Sequence, residues 1–114
     1  MTLEIRNNRA FWHGARVNLT VSEFAVVSRL ASVPGIDVTY LHLYEVVRGV
    51  GFIAGYGDGP EAGYRQNTRN FITRIRRKFK AIDPTFNAIK TYESFGYCWQ
   101  EDFSLLSINP NQGV

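Results

Sequence analysis

Apolar and polar residues alternate at the start of the chain. Leu3 and Ile5 are set against Glu4 and Arg6, the two-residue period of a half-buried strand. Asn7-Asn8 is a turn signal. Phe11-Trp12 and Val17–Leu19 flank His13-Gly14-Ala15, which predicts more short strands and a hairpin turn within residues 1 to 19. The period then changes. Thr20 and Glu23 have the spacing of a capping box, Leu19 and Phe24 that of a hydrophobic staple. Phe24, Val27, Leu30 and Ala31 recur at helical intervals until Pro34-Gly35. Thr39 can cap a second, short helix with Leu43, Val46 and Val47 inward, ending at Gly49.

Residues 49 to 63, GVGFIAGYGDGPEAG, contain too much glycine to sustain a helix or a central strand. They are expected to form a long loop, and such loops in compact domains are often functional. Thr68, Ile72, Ile75, Phe79 and Ile82 then form one apolar stripe, predicting a third helix over about 65 to 82, closed by Asp83-Pro84. Ile89–Tyr92 and Tyr97–Gln100, separated by Glu93-Ser94-Phe95-Gly96, read as a terminal β-hairpin. Residues 103 to 114 are expected to be a loose tail after a domain spanning 1 to 102.

Composition narrows the classes. A chain of 114 residues, 45% hydrophobic, supports one compact domain. One cysteine, Cys98, permits no internal disulfide, and with two histidines it does not make up a structural zinc site. No apolar run approaches the length of a membrane span, and MTLEIRNNRA lacks a signal-peptide core. The expectation is a cytoplasmic protein that needs no cofactor. GVGFIAG has the wrong glycine spacing for a nucleotide loop and follows a helix, not a strand. His13 and His42 have no acid and nucleophile around them in the sequence pattern, so no enzymatic activity is expected.

Charge changes the picture by its position. Seven of the thirteen Lys and Arg lie in residues 65 to 80, with no acid among them. At about 100° per residue, the apolar stripe leaves Gln66, Asn70, Thr73 and Arg77 pointing away from the body. Arg69, Arg74 and Lys80 flank them, Arg76 and Lys78 sit nearer the boundary, and Arg65 lies at the start. A solvated helix usually mixes Glu with its cations; here a polyanion would relieve the repulsion. Arg, Asn and Gln are also the side chains that read guanine and adenine edges in the major groove. An amphipathic helix at the rim of an unrelated domain, or one on a membrane surface, are the competing readings; the second requires the apolar stripe to be free. Tyr97 and Trp99 are candidates for stacking on single-stranded bases, against core packing of at least one of them. Two capped helices, a loop, a basic helix and a hairpin follow the order of a winged helix-turn-helix.

In this order the motifs resemble the DNA-binding effector domain of OmpR/PhoB-type response regulators. Phe11-Trp12-x-Gly14-x-Arg16-Val17-x-Leu19-Thr20-x-x-Glu23-Phe24 is similar to that family's signature for its N-terminal strands and first helix. Arg74-Ile75-Arg76-Arg77-Lys78-Phe79 resembles the end of its recognition helix, and Ile89-x-Thr91 with Gly96-Tyr97 its wing. The wording is nearest to the ChvI-type regulators of alphaproteobacteria. The resemblance covers about residues 3 to 101. It implies an α+β fold: a four-stranded N-terminal antiparallel sheet, a three-helix core and a C-terminal wing. It implies a regulator that binds double-stranded direct-repeat DNA, often as a head-to-tail pair. Base contacts would come from Asn70 and Arg74, with Arg69, Thr73 and Arg77 nearby, and backbone contacts from Gln66 and Asn67. In the family the loop before the third helix can contact RNA polymerase. The family's receiver domain has no counterpart in these residues, which fits either one part of a longer regulator or a stand-alone relative.

The chain departs from the family pattern in places. Phe71 stands where many members have His. In the wing, Glu93-Ser94 replaces Arg-Gly beyond Thr91, and Cys98 replaces an Arg that matches a minor-groove contact. An acid and a thiol there would weaken or redirect wing binding. A second functional reading is therefore a protein-interaction module with weak DNA binding, using the glycine-rich segment 49 to 63.

Overall fold

The computed structural model describes residues 2–49 and 60–101. Strands β1 (Leu3–Arg6), β2 (Arg9–Trp12) and β3 (Ala15–Val17) form an antiparallel sheet in sequence order. The turns between them hold two residues each, Asn7-Asn8 and His13-Gly14, and all four have positive φ. That is the twist a two-residue hairpin requires, and Asn and Gly reach it at low cost. The register pairs Leu3 with Trp12 and Ala10 with Val17, and these four side chains are the buried ones. On the outer face the Arg6 guanidinium lies over the Phe11 ring.

Helix α1 (Val21–Ser32) starts with the capping box complete: the Glu23 amide donates to Thr20 Oγ1 (3.1 Å) and the Thr20 amide to Glu23 Oε1 (2.9 Å). At its exit the Gly35 amide donates to Trp99 O at 2.8 Å. Strand β4 (Val38–Thr39) leads directly into α2 (Tyr40–Gly49), where the His42 amide donates to Thr39 Oγ1. Helix α3 (Pro60–Ile82) is followed by β5 (Ile89–Tyr92) and β6 (Gly96–Trp99).

Two expectations are corrected. The N-terminal sheet has three strands among the described residues, not four, because the chain supplies two tight turns and then the α1 cap. The short β4 joins the C-terminal hairpin instead, in the order β4-β6-β5, with Val38 opposite Tyr97 and Thr39 opposite Gly96. A Cβ on Gly96 would run into the Val38 carbonyl, so the residue there has to be glycine for the strands to close. Second, residues 60 to 63, expected as loop, are the first turn of α3. Proline suits the first helical position, where its missing N–H has no partner to lose. Residues 50–59, the rest of the expected loop, and the expected tail lie outside the described residues.

The core runs through all three helices and both sheets: Val26, Val27 and Leu30 of α1, Leu43 and Val47 of α2, Ile72, Ile75 and Phe79 of α3. Trp12, Phe79, Phe86 and Trp99 form an aromatic cluster, with Phe79 stacked on Phe86 at 4.4 Å between centroids. Asp83 fastens it from below, accepting from Trp12 Nε1 at 2.9 Å. Glu101 accepts from Trp99 Nε1 and from the Thr2 and Leu3 amides, tying the start of β1 to the end of β6.

Candidate nucleic-acid interface

The direction of α3 is decided by what it buries. Thr68, Phe71, Ile72, Ile75 and Phe79 are each at most 3% exposed. The opposite side chains, Gln66, Asn70, Thr73 and Arg77, are exposed, as are Arg69 and Lys80. Asn67 is half-buried, so of the expected backbone-contacting pair Gln66 is the more accessible. The apolar stripe is inside the fold, which removes the membrane-surface reading.

Five of the basic side chains of α3 rest on neighbouring groups. Arg69 lies over the Tyr40 ring at 5.3 Å, and Arg65 sits between the Tyr40 and Tyr64 rings. The Gln66 amide donates to Asn70 Oδ1 at 3.0 Å, coupling two of the outward-pointing amides. Arg74 lies over the Phe71 ring at 4.7 Å, with Nε 3.5 Å from Glu23 Oε2. Lys78, one turn on, donates to Glu23 Oε1 at 2.6 Å. Glu23 is only 2% exposed. Burial alone would raise its carboxyl pKa. The Lys78 hydrogen bond, the Thr20 amide and the fields of Lys78 and Arg74 outweigh that and hold it below its ordinary value.

Arg76, at the boundary in the sequence reading, is half-buried and faces the wing. Its Nη2 donates to Ile89 O (2.7 Å) and to Thr91 Oγ1 (2.9 Å), and its guanidinium lies over the Tyr97 ring. Burial eases its pKa below the ordinary arginine value. This clamp fixes β5 against α3, so the wing and the basic helix are held as one surface. A shallow trough lined by Thr73, Arg76, Arg77, Lys80 and Ala81 runs along α3 on this side.

In the wing, Thr91, Glu93 and Ser94 are exposed, with Ser94 at φ 65° in the turn. Cys98 is not at the surface: it is 6% exposed. In the register it stands opposite Lys90, on the face turned away from Thr91 and Tyr97. Burial, and then the charge of Asp37, push its thiol pKa up. The expected contact position is thus a packed thiol, because strand alternation turns residue 98 away from α3. Tyr97 and Trp99 are both buried, so neither offers a platform for single-stranded bases. The hairpin tip instead exposes Tyr92 and Phe95, with rings 5.1 Å apart. Nothing in the sequence pattern singles these two rings out. Thr-x-x-Glu marks Glu23 as a cap alone, because nothing local in it shows a partner 55 residues away.

Among the described residues there is no cluster of His, Cys, Asp and Glu suited to a metal ion, and no helix long and apolar enough to cross a membrane.

No protein-family model matches the chain. Its architecture matches solved structures closely. The DNA-binding domain of the response regulator AdeR, in complex with an intercistronic region, aligns with a TM-score of 0.69 at 16% identity, over 90% of this chain and 97% of that one. The RstA DNA-binding domain of Klebsiella pneumoniae, in complex with the RstA box, aligns at 0.65 and 22%, over 88% and 92%. The C-terminal effector domain of BfmR from Acinetobacter baumannii aligns at 0.60 and 27%, over 88% and 85%. With three helices, two antiparallel sheets and a hairpin wing among the described residues, the chain has the winged-helix fold of response-regulator DNA-binding domains.

Proposed function

We propose that this domain is a sequence-specific, double-stranded DNA-binding transcription regulator of the OmpR/PhoB type, nearest in its motifs to the ChvI-type regulators. The observation that carries this reading is the orientation of α3. Its apolar side is buried, and its exposed side presents Gln66, Asn70, Thr73 and Arg77 with Arg69 and Lys80 beside them. A helix of this kind enters the major groove, where Asn70 and Arg74 read base edges and Gln66, Asn67, Arg69, Thr73, Arg77 and Lys80 meet the backbone or adjacent bases. The AdeR and RstA domains were solved in complex with DNA, which supports the same partner here.

Phosphate contacts supply most of the affinity and base contacts the selectivity. The wing lies along the neighbouring groove or backbone through Thr91 and Ser94. Glu93, an acid exposed beside Ser94 in the turn, weakens or redirects that contact. The sites are direct repeats bound by a head-to-tail pair, and residues 49–63 contact RNA polymerase or another protein.

Random-site selection with the purified domain tests it. A convergent repeat, bound more tightly than random DNA at physiological salt, is expected. Binding only at low salt, equal for every duplex, would instead favour the protein-interaction reading.

A further inference from the structure

We propose that Lys78 is a positioning residue that frees Arg74 for DNA by holding the buried Glu23 carboxylate. This rests on the DNA-binding reading above. Glu23 lies at the first turn of α1, 2% exposed, and cannot lose its cations without leaving a buried charge unpaired. Two cations of α3 share it. Lys78 Nζ is 2.6 Å from Oε1, which also accepts from the Thr20 amide. Arg74 Nε is 3.5 Å from Oε2, longer than a hydrogen bond, and its guanidinium otherwise rests on the Phe71 ring. The tight partner is therefore the boundary residue, and the loose partner is the one aimed at the groove.

The consequence is a division of labour. Arg74 can swing from Glu23 to a base edge because Lys78 and the Thr20 amide keep the carboxylate satisfied. Without Lys78, Arg74 becomes the only side-chain cation on Glu23, and reaching DNA would strip it. Lys78 thus sets the fraction of the domain in which Arg74 is available, and that fraction scales the apparent affinity for the selected site. A plain phosphate contact by Lys78 would instead weaken binding to all sequences alike.

The experiment compares wild type with K78M, K78R and the double variant E23Q/K78M. Glutamine at the third helical position still serves a capping box, so the double variant keeps the α1 cap while removing the buried charge. Affinities are measured for the selected duplex and for random duplex, alongside the 15N-resolved solvent exchange of Arg74 Nε–H in the free domain. K78M is expected to lose about tenfold more affinity for the selected duplex than for random DNA, and to slow Arg74 Nε–H exchange. E23Q/K78M is expected to restore the ratio, and K78R to keep it even if K78M folds poorly. Equal loss on both duplexes, or no rescue by E23Q, overturns the inference. So does unchanged Arg74 exchange in K78M. Slowed exchange in K78M with a wild type that shows no sequence preference would sink the DNA-binding reading while leaving the shared carboxylate in place.

Discussion

Glu23 shows how much one side chain can carry. It closes the α1 capping box, and it pairs with two cations of the basic helix. The first role was legible in Thr20-x-x-Glu23, because capping is local. The second depends on α3 crossing the start of α1, which no local pattern encodes. Asp83 is a second anchored carboxylate. Hydrogen bonds from Thr85 and then Trp12 pull its pKa down from 3.8 to about 2. A depressed carboxyl contributes stability above its unfolded pKa and loses it as pH falls through the folded value. The wild type should therefore lose stability relative to D83N between about pH 4 and pH 2. Urea unfolding of both proteins across that window checks this; parallel curves would mean Asp83 is not held by these partners. At the interface, Arg74→Ala is expected to cost roughly 1–3 kcal/mol on the selected site and to relax base choice at one position. Competition binding with single-base variants of the site measures it, and equal weakening on every variant would reassign Arg74 to the phosphates.

At the scale of elements, the legible parts were those with a repeating pattern or a stop signal. The stripe from Thr68 to Phe79 placed the core side of α3, and Asn7-Asn8 and His13-Gly14-Ala15 marked the N-terminal turns, although Ala15 already belongs to β3. Strand β4 was not legible because two residues give no period, and its pairing with β6 is visible only in the folded chain. The face of Cys98 was equally hidden: a strand with all four residues buried has no polar side to set the phase. The same β4–β6 junction gives a prediction. Alanine at Gly96 must push the hairpin away from the Val38 carbonyl, and such overpacking typically costs about 1–3 kcal/mol. Thermal unfolding of G96A should show a clear drop in Tm; an unchanged Tm would mean the strands part there without cost. A loss of DNA affinity beyond the loss of stability would fit the clamp in which Arg76 holds β5 on α3.

At the scale of the whole molecule, charge and packing divide the surface. The cations of residues 65 to 80 lie on one helix, and that helix is held by its apolar side in the shared core, chiefly against α2 and β3. The order of elements was readable from the chain, and the winged-helix fold it implied is the one observed. The placement of the wing was not, since it follows from Arg76 reaching Ile89 and Thr91 across the groove beside α3. The most direct measurement is an NMR titration of the isotope-labelled domain with the selected duplex. Shifts are expected to concentrate on Gln66, Asn70, Thr73, Arg74 and Arg77, with smaller changes at Thr91 and Ser94, and the side chains of Ile72, Ile75 and Phe79 should stay in place. Shifts confined to other surfaces, with the outward side of α3 undisturbed at saturation, would contradict the assignment of that helix as the reading element.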